Sequence, residues 1–290
     1  MRSKLKVMLY LCITALMFEC GSAKKTTQNE GWETMFNGRN LDNWTTKIHH
    51  YKVGDNYGDT FRVEDNIIKV RYDHYEDGFN ERFGHLYYNR PYSYFDLTLE
   101  YRFVGELHPG APSYTLKNSG VMFHSQDPNS MLVDQNWPIS VEMQFLAGVE
   151  KGTQRPTGNM CSPGTDVVYK GIIDPNHCIN SSSETYFGKQ WVKAELIVLG
   201  DSLITHLING KNVLQYTKPQ MGGGVVNGYD PKIWEEGKLL DQGYIALQSE
   251  GQPIDFRNIK IRNLKGCMDP KANNYAKHYI KSDPGSCIYN

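Results

Sequence analysis

In the segment Pro138 to Gly148, PISVEMQFLAG, Glu142 and Gln144 stand two residues apart among the apolar Val141, Met143 and Phe145. Alternation with a period of two is the pattern of a strand that buries one face. The other face of this strand then presents a carboxylate and an amide. Two more segments share the character. In NSGVMFHSQ, Val121 and Phe123 lie on one face and Met122 and His124 on the other. In GYIALQSEG, Ile245 and Leu247 point inward while Tyr244, Ala246, Gln248 and Glu250 point outward. Neighbouring strands run about 5 Å apart. If these three are adjacent, His124, Glu142, Gln144, Gln248 and Glu250 form one concave polar floor. Two carboxylates close together raise the proton affinity of one of them, which suits a base working near neutral pH. Taken singly, each residue reads as an ordinary solvated position. Their coincidence on three strands argues for a cleft, provided no one-residue bulge reverses the phase.

Three other residues invite a role. Arg257, in DFRNIKI, lies on the Ile259 and Ile261 side. It reads equally as a salt-bridged end residue or as a group reaching a ligand at the cleft edge. His177 stands beside Cys178 in NHCINSSSETY. It is a surface histidine or, if a disulfide brings its loop over the cleft, a binding residue. Lys170 reads as surface.

The elements that must position these residues are strands. YFDLTLEYRF alternates cleanly, TFRVEDNIIKVR reads as two strands about a turn, and WVKAELIVLGDSLITHLINGKNVLQY as three. Its Asn209-Gly210 pair is a strong hairpin signal. Helical periodicity is nearly absent; only DPKIWEEGKLL could hold one short helix. Many short antiparallel strands with turn signals mean a sandwich or a barrel. Residues 150–190 break the rhythm as a long stretch rich in Gly, Pro and Ser, expected to be a functional loop. Aromatic residues make up 12% of the chain, with 19 Tyr and 27 Gly, a mix that suits a turn-rich β protein. The net charge of −1 gives no argument for a nucleic-acid partner.

Arg2, Lys4 and Lys6 precede the apolar run Val7 to Phe18, the pattern of an export signal over residues 1–23 and too short to span a bilayer. Cleavage has two readings. Cys20 can be a lipidated first residue, which would be the chain's one membrane attachment, or ordinary cleavage falls near Ala23. Either way the mature chain is exported, to the periplasm, the cell surface or the medium, with residues 24–30 as a linker. Of the six cysteines, Cys161, Cys178, Cys267 and Cys287 remain for disulfides. Neighbours in sequence are the expected partners, Cys161 with Cys178 and Cys267 with Cys287. The rival, a zinc site, lacks any C-x-x-C. Residues 265–290 show no strand pattern and read as a small module closed by the second bridge, following a β domain over 31–264.

The ordered series GWETMFNGRNLDNW, NSGVMFHSQ, ISVEMQFLAG, QWVKAELIVLGDSLITHLING and GYIALQSEGQPIDFRNIKIRNL resembles the 3-keto-disaccharide hydrolase domain family, long called domain of unknown function 1080. The resemblance runs from about Gly31 to Leu264. It implies a concanavalin A-like jelly roll, all-β with two antiparallel sheets, related to laminarinase-type glucanases and legume lectins. It also implies a carbohydrate substrate, a 3-keto sugar made upstream by an oxidoreductase. The tail resembles a Cys-flanked element found at the ends of secreted bacterial proteins.

The glucanases carry Glu-x-Asp-x-Glu on one strand, whereas here the strand reads Glu142-Met143-Gln144. The carboxylate pair of ordinary glycoside hydrolysis is therefore missing from this strand. A 3-keto sugar does not require it, because the C3 carbonyl acidifies the hydrogen at C2 and the C1 substituent can leave by elimination. Such a site needs a base and a stabiliser for the enolate oxygen. For that chemistry Glu142 is the candidate base, with His124 second, and Arg257 the candidate stabiliser. Gln144, Gln248, Glu250 and His177 are the candidate substrate-binding residues. No cofactor is evident; a divalent ion held by the sugar's own oxygens is an alternative stabiliser, though no metal motif is present. The competing class is a non-catalytic, lectin-like module.

Overall fold

A computed structural model of the chain describes residues 31–290. The expected signal segment and linker, with Cys12 and Cys20, lie outside the described residues. The strands in chain order are β1 (Trp32–Thr34), β2 (Trp44–Ile48), β3 (Phe61–Glu64), β4 (Ile67–Val70), β5 (Gly84–Tyr88), β6 (Tyr94–Phe103), β7 (Asn118–Ser125), β8 (Val141–Leu146), β9 (Asn159–Cys161) and β10 (Thr165–Tyr169). They continue with β11 (Ile172–Ile173), β12 (Cys178–Ile179), β13 (Val192–Leu199), β14 (Ile204–Ile208), β15 (Lys211–Met221), β16 (Tyr244–Ser249), β17 (Ile254–Asn263), β18 (Lys265–Gly266) and β19 (Lys281–Ser282). Among the described residues no helix is long and apolar enough to cross a membrane.

The strands form two large antiparallel sheets. The seven-stranded sheet has the order β12-β9-β8-β7-β16-β5-β2. The ten-stranded sheet runs β11-β10-β15-β14-β13-β6-β17-β4-β3, with β1 added on β17. Alternation explains the layering. Val121, Phe123, Val141, Met143, Ile245 and Leu247 on the first sheet are at most 1% exposed, as the period of two requires. Phe95, Leu97, Leu99, Leu196, Phe256 and Ile261 face them from the second and are equally buried. Tyr101 and Phe145 stack across the gap with ring centres 4.1 Å apart. Burying these rings and branched side chains contributes about 1.5–3 kcal/mol each. The hairpin between β14 and β15 turns on Asn209 and Gly210, both at positive φ (48° and 78°), the geometry such a two-residue turn demands. The result is an all-β jelly roll of the concanavalin A type.

Two disulfides close as expected, Cys161 with Cys178 and Cys267 with Cys287. They span 17 and 20 residues, and loops of that size are stabilised by about 3 kcal/mol each in the chain-entropy model. The second bridge lies in the tail, where β18 pairs with β19 and Ile280 N–H donates to the Leu264 carbonyl at 2.9 Å.

Four expectations need correction. First, residues 150–190 are not one irregular loop. They contain β9 to β12, and β9 and β12 extend the seven-stranded sheet beyond β8. At two to five residues, these strands are too short for alternation to register. Second, the expected helix near Pro231 is a single 3-10 turn, Pro231–Ile233.

Third, His124 does not join the floor. It adopts φ 46°, and the register of β7 against β16 shifts at that place. The bulge turns the ring inward, where Nε2 meets the Gly200 carbonyl at 3.0 Å. Burial pushes its pKa down to about 4. Fourth, Arg257 belongs to β17 of the other sheet. A second bulge, with Asn258 at φ 55°, reverses the phase between Phe256 and Ile259. Arg257 therefore faces outward, bonded to Glu100 at 2.7 Å and lying 3.9 Å from the centre of the Trp191 ring.

Candidate active site on the seven-stranded sheet

The outer face of this sheet carries a row of polar positions set by register. Asn159 pairs with Gln144, Gln144 with Gly120, Gln248 with His85, and His85 with Lys47. The pairing of Leu247 with Val121 carries Gln248 to the other side of Gly120. Glu142 sits one row away, between Met122 and Cys161. Gly120 is the empty place in the middle: a Cβ there would collide with the Glu142 carboxylate. A glycine inside a central strand costs stability, and here it provides the space into which that carboxylate leans.

A cavity of about 400 Å³ opens over β7, β8 and β9. Its floor holds Glu142, Gln144, Asn118 and Glu250; Trp137, Tyr114, Leu146 and Val225 are apolar lining, and the Cys161–Cys178 bridge with His177 lines another part. The segment before Trp137 covers the rest of the sheet. Met131 packs with Tyr87, Met122 and Ala246, and the Lys47 ammonium donates to the carbonyls of Ile48 and Val133.

The floor is unusual in what it leaves unpaired. Glu142 Oε1, Glu250 Oε2, Asn118 Oδ1 and Gln248 Oε1 are buried without a hydrogen-bond partner, as are both ring nitrogens of His85. Exposures are 6%, 4%, 8%, 1% and 0% for these five residues. Buried polar atoms are almost always satisfied, and each orphan costs about 1–3 kcal/mol. A cluster of orphaned acceptors in a cavity is shaped for a ligand that brings several donors, and a polyhydroxylated sugar does so.

Electrostatics adds a second property. Burial first, and then the Glu250 charge, raises Glu142 well above the ordinary carboxylate range. Burial pushes Glu250 up to about 7 against the opposing pull of the Trp137 indole N–H. Both carboxyls therefore hold a proton more tightly than a solvated carboxylate does, which suits groups that exchange protons near neutral pH. Among the described residues, no cation is a leading influence on either carboxyl. Arg155 lines the cavity, but its guanidinium donates to the carbonyls of Leu116, Lys117 and Ala147. Burial leaves His85 neutral, its pKa pushed down to about 3.

Metal-ligating groups are few among the described residues. Cys161, His177 and Cys178 cluster, but both sulfurs are in the disulfide. His49, His50 and Asp134 also cluster, with His49 Nδ1 at the Glu81 carbonyl and His50 Nδ1 at Asp134. On the floor itself, the oxygens of Glu142, Glu250, Asn118 and Gln248 are the donor type a hard cation takes.

Of the residues expected from the sequence, Glu142, Gln144, Glu250 and His177 line one cavity, and Gln248 lies in the floor's buried continuation. His124 and Arg257 do not belong to it. Sequence reading missed His85, Asn118, Asn159, Trp137 and Tyr114. The alternation of GHLYY could have drawn attention to His85, beside the inward Leu86; Asn159 and Trp137 carry no local signal.

Fold and floor together define a concanavalin A-type jelly roll with a polar, acceptor-rich cavity on its seven-stranded sheet. The family model described as 3-keto-alpha-glucoside-1,2-lyase-like domain matches residues 31–262, and the chain belongs to that family. No curated protein matches it. Two solved structures from Parabacteroides distasonis, provisionally named glycosyl hydrolases, are similar in fold. One has 17% identity and a TM-score of 0.49, covering 81% of this chain and 94% of its own. The other has 20% identity and a TM-score of 0.48, covering 80% and 99%. A Bacillus subtilis protein with a galectin-like fold follows at 9% identity and a TM-score of 0.45, covering 77% and 90%. These likenesses are too distant to speak for this chain's chemistry.

Proposed function

We propose that the protein is an exported enzyme that cleaves 3-keto glycosides by elimination. The observation that carries this reading is the pair of buried carboxylates on the cavity floor, Glu142 and Glu250, each with one oxygen left without a hydrogen-bond partner. Glu142 takes the proton from C2 of the sugar. The C2–H electron pair moves to the C2–C3 bond, and the carbonyl pair moves onto the C3 oxygen as an enolate. The enolate then collapses: the C3 carbonyl returns, a C1–C2 double bond forms, and the bond from C1 to the aglycone oxygen breaks. That oxygen takes a proton from the Glu250 carboxyl, which burial pushes up to about 7. The products are an unsaturated keto sugar, which water can hydrate later, and the free aglycone. Positioned acid–base groups of this kind supply about 10²–10⁴-fold each. The substrate must come from a reaction class that oxidises the C3 hydroxyl of a glycoside.

A lectin-like role is the competing reading, favoured by the apolar lining of Tyr114 and Trp137 over a polar floor. One comparison separates them: the purified protein with a 3-keto disaccharide and with its unoxidised parent. Release of the aglycone from the keto sugar alone supports elimination; binding of both without cleavage supports the lectin.

A further inference from the structure

We propose that Gln144 supplies the N–H that receives the developing charge on the C3 oxygen, and that Asn159 is the positioning residue that commits it to that role. The inference rests on the elimination reading above. Elimination requires an enolate stabiliser, and Arg257, the cation expected for it, stands on the other sheet.

The argument turns on partners whose roles cannot be exchanged. Asn159 is 1% exposed. Its Oδ1 accepts from the backbone N–H of Ser181 at 2.9 Å, and a backbone N–H can only donate. Its Nδ2 donates to the Pro156 carbonyl at 3.1 Å, which can only accept, and to Gln144 Oε1 at 3.0 Å. Turning the Asn159 amide around would break both backbone bonds. Gln144 must therefore give its oxygen to Asn159, which leaves its Nε2 amino group for the cavity it lines.

That donor stands in a floor otherwise built of acceptors. Glu142 and Glu250 are carboxylates, and Asn118 gives its Nδ2 to the Tyr114 carbonyl and turns its oxygen inward. Gln144 shares a strand face with Glu142, two residues on, so the two Cα atoms are about 7 Å apart. A base for the C2 hydrogen and a donor for the C3 oxygen need to sit side by side, because the two substrate atoms are on adjacent carbons. A neutral N–H held by a rigid second residue stabilises an oxyanion without being drained by a nearby carboxylate salt bridge. The arrangement also gives the first disulfide a purpose. Cys178 pairs with Cys161 and Ile179 with Met160, which sets the course of the chain at Ser181 and so the amide that orients Asn159.

The test is a double-mutant cycle on kcat for a 3-keto disaccharide. Gln144→Glu keeps the shape and opposes the oxyanion; a fall of about 10²–10³-fold in kcat with little change in KM is expected. Asn159→Ala should lower kcat by about tenfold, yet add nothing to the Gln144→Glu variant. Should Asn159→Ala melt too low for assay, Asn159→Asp replaces it, since it keeps the acceptor for Ser181 and cannot donate to Gln144. An unchanged kcat in Gln144→Glu overturns the donor assignment. A full, multiplicative effect of the Asn159 variant in both backgrounds shows a merely structural role and overturns the positioning assignment. If the unmodified protein cleaves no 3-keto glycoside, the elimination reading itself has failed. The donor is then read from titration of the keto disaccharide and its unoxidised parent: Gln144→Glu should weaken the first selectively, and equal weakening of both overturns it.

Discussion

Asp255 and Glu142 are both buried carboxylates on strands of one sandwich, and the molecule treats them in opposite ways. Asp255, 1% exposed, lies between Arg71 at 2.5 Å and Arg102 at 2.8 Å. Each of its oxygens has a guanidinium. Glu142, 6% exposed, has an orphaned oxygen, a second carboxylate nearby and, among the described residues, no counter-charge acting on it. Taking a charge out of water costs several kcal/mol unless it is paired. On the ten-stranded sheet the cost is met by arginines, and the result is structure. On the seven-stranded sheet it is left standing, and the group responds by holding its proton more tightly. Buried carboxylates perturbed in this way cluster at functional sites.

The largest effect should come from removing the unpaired charge. Glu142→Gln is expected to lower turnover of a 3-keto disaccharide by at least about 10³-fold, roughly 4 kcal/mol in the barrier. Sugar binding should change little, because the amide keeps the shape. Steady-state kinetics beside calorimetric titration would check both halves. Turnover near the parent rate would remove Glu142 from the role of base.

Asp255→Ala should act in the opposite sense. Two partly exposed arginines lose their shared partner, and the fold should lose about 2–3 kcal/mol. Turnover per folded molecule should stay within about twofold. Chemical denaturation and an assay on the same preparation would show whether the two sheets carry separate duties.

A third contrast appears on changing pH. Glu250 is pushed up to about 7 in the folded chain, against an ordinary 4.5. Between those values the folded chain keeps a proton that the unfolded chain has lost. The stabilising contribution is therefore complete below about pH 4.5 and declines as pH rises toward 7. Glu250→Gln should flatten that decline and raise the melting temperature at pH 7.5. It should also shift the acid limb of kcat/KM to lower pH, since the Glu250 charge is one of the causes that raise Glu142. A limb that stays in place would mean the two carboxylates do not interact.

Much of the contrast could be read from the chain before folding. Alternation in β6, β7, β8, β13 and β16 gives the sandwich, its core and the outward phase of Glu142, Gln144, Gln248 and Glu250. The failures have one physical source. A bulge is a single residue in an uncommon backbone state, and neither His124 at φ 46° nor Asn258 at φ 55° is a glycine that would announce it. Each reverses every position beyond it, which moved His124 off the floor and Arg257 to the outer face. Asn159 was invisible for another reason. It lies in a three-residue strand that exists because the sheet and a disulfide hold it, not because of its own propensity.

The smallest expected effect tests that lesson directly. Arg257 pairs with Glu100, their side chains 37% and 26% exposed, and lies over Trp191. A partly solvated pair of this kind contributes at most about 1 kcal/mol, and the cation–aromatic contact a similar amount. Arg257→Ala should therefore cost about 1 kcal/mol or less, with a stronger effect at low salt, and leave kcat and KM unchanged. The reasoning is geometric: the hydrophobic core of the sandwich lies between this side chain and the carboxylates of the cavity, so no enolate formed at Glu142 can reach the guanidinium. If Arg257→Ala lowered kcat tenfold while the protein stayed folded, charge on the ten-stranded sheet would be acting across the core, and the division of labour between the two faces would have to be abandoned.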